Sequence, residues 1–229
     1  GPLDTVYDYN KINLTHDSFK GRVKSLWRYS ELLPLNDISK AIDIGAGFTP
    51  LQKSIGLAER LGLKNLYIKN DSVNPSFSFK DRPASVAVSK SVEFNLKAVG
   101  CPSTGNLAAA TAAHAARAQL PCYVFVPSDI EPNKIVQAAA YGAQIVAVKG
   151  TYDDANRMLT QAADIYNIGV VNVNIRSYYV EGSKTLGFEV AEQLGWNAPD
   201  HAIVPTASGA LLCAISKGFE ELVDIGLLD

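Results

Sequence analysis

The chain has 229 residues, enough for one large or two ordinary domains with a substantial core, and its 47% hydrophobic and 19% charged composition is that of a soluble globular protein. Lys and Arg number 21 against 23 Asp and Glu, and a net charge of −2 excludes the basic footprint of a nucleic-acid binder. No run approaches the roughly 20 apolar residues of a membrane span. Gly1-Pro2-Leu3-Asp4 has neither a basic region nor an apolar signal core, and Cys101, Cys122 and Cys213 lie in apolar strand or helix contexts with no Cys-x-x-Cys pair. Reduced, buried thiols in a cytoplasmic protein are therefore expected, with no cysteine nucleophile.

The N-terminal stretch is polar and aromatic without a clean period. Phe19-Lys20-Gly21 through Leu32-Leu33-Pro34 read as a helix and turn, and Gly45-Ala46-Gly47-Phe48-Thr49-Pro50 as a loop. From Asn65 the pattern becomes regular. Short β-rich runs at 66–69, 98–101, 122–126, 144–148, 170–173 and 202–204 alternate with helical periods around 83–96, 105–118, 132–141, 151–166, 181–194 and 209–223. Leu66-Tyr67-Ile68-Lys69 is expected to be a buried strand. Cys122-Tyr123-Val124-Phe125-Val126 is apolar on both faces, which suits a parallel strand covered by helices on each side. The repeated alternation predicts an α/β doubly wound architecture, whose ligands bind beyond the carboxyl ends of the strands.

That rule singles out three loops. In the first, Ser78-Phe79-Lys80-Asp81-Arg82, a helix opens with Pro83 in its first turn, where the missing N–H costs nothing. Lys80 then sits at a helix N-terminus beside Phe77 and Phe79. The helix dipole opposes a cation there by roughly 0.3–1 kcal/mol, and the apolar neighbours desolvate it. Both favour the neutral amine, the form that condenses with an aldehyde. The second loop, Pro102-Ser103-Thr104-Gly105-Asn106, exposes successive backbone N–H groups ahead of an alanine-rich helix, and Asn106 can donate from its amide. The third, Thr206-Ala207-Ser208-Gly209-Ala210-Leu211, lets the backbone approach an anion at the start of the last helix. The plain alternatives are a surface Lys/Asp/Arg cluster, a Ser/Thr N-cap and an ordinary strand–turn–helix.

The basic residues near these loops are Lys134, Arg176 and Lys184. Each is solvated by default, with Arg176 favoured by its place after a strand. His114, mid-helix among alanines, reads as a packed or surface residue, and no His/Cys/Asp cluster has metal-ligand spacing, so no metal is expected. The P-loop pattern is missing, and Gly45-x-Gly47 lacks the third glycine and the preceding strand of a dinucleotide fingerprint.

Taken together, Asn74-Pro75 leading into Ser78–Arg82, Ser103-Thr104-Gly105-Asn106, Tyr178-Tyr179-Val180-Glu181-Gly182-Ser183-Lys184-Thr185-Leu186 and Gly45 through Leu51 resemble motifs of the fold-type-II pyridoxal-phosphate enzymes. Within them the pattern is similar to the threonine synthase family, over nearly the whole chain. The resemblance implies a tryptophan synthase β-like α/β architecture of two doubly wound parallel-sheet domains. The large one would comprise 1–83 and 178–229 and be incomplete, and a small α/β domain would span 84–177. It implies pyridoxal 5'-phosphate as cofactor, with Lys80 as its covalent anchor and the general base. Asn106 would bond the phenolic oxygen of the cofactor ring, and Ala207, Ser208, Gly209, Ala210 and Leu211 would hold its phosphate. Ser103 and Thr104 would take the substrate carboxylate, and Lys134 and Arg176 its phosphate. The implied reaction converts O-phosphohomoserine and water to threonine and phosphate, the last step of threonine biosynthesis. It implies a cytoplasmic enzyme that is a homodimer at full length, without nucleic-acid or membrane partners.

Two departures bear on this. Many relatives carry a G-G-x-G or G-N-x-G-N loop where this chain has Ala207-Ser208-Gly209-Ala210-Leu211, so the phosphate would rest on Ser208 and backbone N–H groups. Relatives also continue past the position of Asp229 into the segment whose hydroxyl meets the ring nitrogen. The isolated chain is thus expected neither to complete the large domain nor to turn over alone. The competing readings are a cysteate synthase, cysteine synthase or threonine dehydratase, and a non-catalytic α/β ligand-binding module in which Lys80 is only a helix-start charge.

Overall fold

A computed structural model describes residues 4–172 and 177–229. Chain order begins with short 3-10 turns, including His16–Phe19 and Leu26–Leu32, followed by β1 (Leu51–Lys53), α1 (Ile55–Leu61) and β2 (Tyr67–Lys69). Then come α2 (Asp81–Glu93), β3 (Ala98–Pro102), α3 (Asn106–Ala118), β4 (Cys122–Pro127), α4 (Val136–Ala140) and β5 (Gln144–Val148). The remaining elements are α5 (Tyr152–Tyr166), β6 (Ile168–Val170), α6 (Ser177–Gln193) and α7 (Ala210–Asp224).

Four of the strands form one parallel sheet in the order β5-β4-β3-β6, with Val99 opposite Cys122, Val124 opposite Ile145 and Gly100 opposite Val170. Period-two alternation sorts its side chains. Val99, Cys101, Cys122, Val124 and Val126 pack with the small residues of α2, α3 and α4 into one core, while Phe125 and Val148 pack against Ala155 and Leu159 of α5 on the other face. Helices on both faces are what an apolar strand such as β4 requires, and this α/β arrangement agrees with the sequence reading. At the other end of the molecule Leu14, Phe19, Tyr29 and Leu32 of the N-terminal turns pack on Phe188 and Leu222, from α6 and α7.

Helix α2 packs against both α3 and α6, and every residue from Asp81 to Ser91 is buried. Its polar side chains survive burial because each finds a partner. Ser85 donates to Ile42 O at 2.7 Å and accepts from Trp27 Nε1 at 2.9 Å, and Ser89 accepts from Ile42 N at 2.8 Å.

Several expectations are corrected. The strand at 66–69 is not buried. As β2 it pairs antiparallel with β1, its one ladder partner among the described residues, leaving Tyr67 and Ile68 exposed, and neither β1 nor α1 is announced by the sequence pattern. Residues 202–204 form no strand: they have no ladder partner among the described residues, and Ile203 is 99% exposed. A strand is a property of a pair, and composition alone cannot supply the neighbour. The strand expected at 170–173 is β6, shifted to Ile168–Val170, and residue 173 lies outside the described residues. The helix expected from Phe19 to Pro34 is replaced by 3-10 turns, because Ser25 is extended and caps Trp27 N, starting a new turn at Leu26. Cys101 and Cys122 are buried free thiols as expected, whereas Cys213 is exposed.

Candidate active site

Three segments distant in sequence meet around a cleft of about 480 Å³. The loop before α2 contributes Phe79 and Lys80, α6 contributes Tyr179, Val180 and Ser183, and the segment from Pro205 to Leu211 forms the opposite wall. Lys80 is the N-cap residue of α2, at the positive end of the helix. Nζ donates to Tyr179 Oη and lies 4.4 Å from the centre of the Phe79 ring. Burial pushes the Lys80 amine below the ordinary lysine range. Across the cleft, Gly209 caps α7 with φ +82°, in the left-handed region that glycine enters without strain. A Cβ at this position would meet nothing within 4 Å. The first intrahelical bond of α7 runs from Cys213 N to Gly209 O at 3.0 Å, which leaves the N–H groups of Ala210 and Leu211 free to face an anion.

Behind Lys80 lies a buried ion network, so the reading of Lys80-Asp81-Arg82 as a surface cluster does not hold. The Arg82 guanidinium, fully buried, reaches Asp71 Oδ2 at 2.7 Å and Oδ1 at 2.8 Å, and Glu189 Oε2 at 2.8 Å. Lys69 adds a contact to Glu189 Oε2 at 2.7 Å. Burial alone would raise both carboxyls, but the Arg82 charge outweighs it and holds Asp71 and Glu189 below their usual range. Glu189 also accepts from Phe48 N at 2.6 Å and Thr49 N at 3.2 Å. One guanidinium thereby ties the 45–50 loop, the turn at Asp71, α2 and α6 together directly behind the cleft. Asp81 acts on the loop instead. Its Oδ2 accepts from the backbone N–H and the hydroxyl of Ser76, each at 2.8 Å, which fixes the turn leading into Lys80.

Helix α6 reaches Lys80 because Gly182 permits close approach; a Cβ there would lie 2.3 Å from Arg82 O. Lys184 is not solvated. Its ammonium is buried between Glu181 Oε2 at 2.5 Å and Glu221 Oε2 at 2.8 Å, locking α6 to α7. His114 is fully buried, with Nδ1 2.9 Å from Ala110 O, and burial pulls it down to about 4, so it is a packed neutral ring.

Of the residues singled out from sequence, Lys80 and Ala207 through Leu211 share the cleft. Ser103, Thr104 and Asn106 stand at the carboxyl end of β3 and the start of α3, outside the cleft lining, with Asn106 exposed. Lys134 is half exposed and pairs with Glu131 at 3.7 Å. Arg176 lies outside the described residues. Sequence reasoning misses Tyr179 and Ser183 as site residues. Their i, i+4 spacing on one helix face is visible, but which face meets Lys80 is not. Among the described residues no group of acidic, histidine or cysteine side chains could hold a metal.

Comparison with known proteins gives this geometry a context. Over its full length the chain is 40% identical to the threonine synthase of Methanocaldococcus jannaschii, covering 57% of that protein. It is 38% identical to the threonine synthase of Methanosarcina acetivorans, covering 56% of it. The chain thus spans a little over half the length of these relatives. Among solved structures, the processed form of threonine deaminase isoform 2 from Solanum lycopersicum matches 89% of the chain with a TM-score of 0.70 at 24% identity, covering 59% of that chain. Diaminopropionate ammonia lyase from Escherichia coli, in its apo form, matches 94% with a TM-score of 0.71 at 18% identity, covering 67% of that chain. At such identities the structural likeness speaks for the fold. The family model described as "Pyridoxal-phosphate dependent enzyme" matches residues 42–226, a stretch that includes every residue of the Lys80 cleft, and the chain belongs to that family.

Proposed function

We propose that the whole protein is a threonine synthase, converting O-phosphohomoserine and water to threonine and phosphate. The observation that carries the reading is the juxtaposition in one cleft of a desolvated, carboxylate-free lysine amine and the glycine-capped N-terminus of α7. These residues fit pyridoxal 5'-phosphate: the amine suits an aldehyde, and the open space over Gly209 with the free N–H groups beyond it suits a phosphate. When bound, the cofactor supplies an electron sink for carbanion chemistry at the substrate.

In this reading Lys80 anchors the cofactor and, once released by the substrate amine, takes the α-proton on Nζ. Ser208 and the backbone from Ala207 to Leu211 hold the cofactor phosphate. Asn106 is assigned to the ring's phenolic oxygen, Ser103 and Thr104 to the substrate carboxylate, and Lys134 and Arg176 to the substrate phosphate. The same proposal includes the division into a large domain from 1–83 and 178–229 and a small one from 84–177. It also includes a homodimer in the cytoplasm. The threonine synthase relatives at 38–40% identity support this choice over a related replacement or elimination catalyst.

The test is a visible spectrum of the whole protein with cofactor, followed by borohydride reduction and peptide mapping. The reduced adduct is expected on Lys80, and phosphate release is expected with O-phosphohomoserine but no turnover with O-acetylserine. A protein that stays colourless, or an adduct on another lysine, would overturn the assignment.

A further inference from the structure

Lys80 stands in its cleft among rings and hydroxyls. Its Nζ donates to Tyr179 Oη and lies 4.4 Å from the centre of the Phe79 ring and 5.1 Å from that of Tyr179. Among the described residues, the charged groups on the surrounding elements are engaged elsewhere. On α2, Asp81 is bonded to Ser76, and Arg82 to Asp71 and Glu189. On α6, Glu181 faces Lys184 and Lys217. The wall from Pro205 to Leu211 carries no titratable side chain. Tyr152 on α5 is the other phenol near enough to act on Tyr179 electrostatically. Tyr179 itself is 2% exposed, and among the described residues its hydroxyl bonds Lys80 alone.

A lysine that must be neutral to bond an aldehyde and must later carry a proton needs a partner that serves both states. A carboxylate would pin the ammonium, because an opposite charge nearby favours the charged form. A purely apolar wall would forbid it. A phenol serves both: its O–H donates to the neutral amine, and its oxygen accepts from the ammonium after the hydroxyl rotates. Ring faces add a second source of attraction for the cation.

We propose that Tyr179, with the Phe79 ring, is the neutral cradle that lets Lys80 carry a proton in a cleft whose described lining offers it no carboxylate. This rests on the reading of Lys80 as the cofactor-anchoring base. In the step concerned the substrate C–H bond breaks, its electron pair stays with the substrate carbon, and a new N–H forms at Nζ. The Tyr179 O–H bond remains intact and only turns, and burial, which pushes that phenol up, keeps it from ionising.

The test is Tyr179→Phe, which keeps the ring and removes only the hydroxyl, in the whole protein. Competitive acetylation of the cofactor-free protein across pH, read by peptide mass spectrometry, reports the protonation of Lys80 without the cofactor. Its midpoint is expected to fall by about one pH unit, because the ammonium loses its acceptor. Phe79→Leu should move it in the same direction by less. Tyr178→Phe is the control: that ring packs on Phe94, at 6.0 Å between centroids, and over Lys90, so it should leave Lys80 unmoved. In the cofactor-loaded enzyme, Tyr179→Phe should lower kcat about tenfold with KM nearly constant, the signature of an interaction that is stronger with the ammonium than with the neutral amine. An unmoved or raised midpoint would overturn the proposal. A wild-type protein that takes up no cofactor would instead overturn the reading beneath it, and the acetylation result separates the two.

Discussion

Arg82 is the side chain on which the site's rigidity most depends. Removing one partner of a buried ion pair leaves the other charge stranded, and the cost is about 3–5 kcal/mol, comparable to the margin of many domains. Arg82→Met leaves Asp71 without its cation and Glu189, wholly buried, with Lys69 as its remaining cation, so a loss toward that size is expected in urea unfolding. Arg82→Lys retains the charge but not the fork that spans both carboxylates, and should fall between. If Arg82→Met unfolded at the same urea concentration as the wild type, the network would be ornamental. This residue also marks what a sequence can hide. A Lys-Asp-Arg run looks like a solvated helix start, and only the fold reveals that Asp71 and Glu189, at 11 and 107 positions' separation, close around the guanidinium.

At the level of elements, what is legible in the sequence is what is periodic and local. Cys122–Val126 announces a two-faced strand by itself, and β5 falls where its β-branched run lies. What depends on a distant partner is not legible: β1 acquires its identity from β2, and Ala202–Val204 reads as a strand but has no ladder partner among the described residues. The candidate site follows the same division. Lys80 and the 207–211 loop can be found from helix starts, whereas Tyr179 reaches Lys80 across 99 positions through the contact of α2 and α6. That contact depends on Gly182. In Gly182→Ala the added methyl, 2.3 Å from Arg82 O with Pro83 Cα at 2.7 Å, meets backbone and cannot rotate away. The helices must separate. A loss of about 1–3 kcal/mol is expected on unfolding, together with weaker cofactor uptake, since α6 carries Tyr179 away from Lys80. Full stability in the alanine variant would mean that the two helices can slide freely.

For the molecule as a whole, acid should expose the order in which its buried groups yield. His114 ordinarily titrates at 6.5 but is held down to about 4 in the fold, because burial penalises the imidazolium. Between those values the unfolded chain binds a proton that the folded chain refuses, so stability rises with pH across this window and is lost as pH falls through it. At 1.36 kcal/mol per unit the loss amounts to about 3 kcal/mol by the bottom of the window. Asp71 and Glu189 act later: Arg82 holds their folded values below the usual carboxylate range, so their contribution persists above the unfolded value and disappears only on further acidification. Asp81 and Glu221 oppose the trend, since burial pushes their carboxyls up and the fold then binds protons more readily than the unfolded chain. The His114 contribution is therefore best isolated by difference. His114→Leu fills the same apolar place, frees no backbone group that α3 does not already satisfy, and removes a ring nitrogen, Nε2, that has no hydrogen-bond partner among the described residues. Urea midpoints measured from pH 7 to pH 4 should fall less steeply in the leucine variant than in the wild type, with the curves diverging below 6.5. Parallel curves would mean that His114 takes up its proton in the folded state, and that Asp81, whose Oδ1 lies 3.7 Å from Nδ1, receives it as an ion pair.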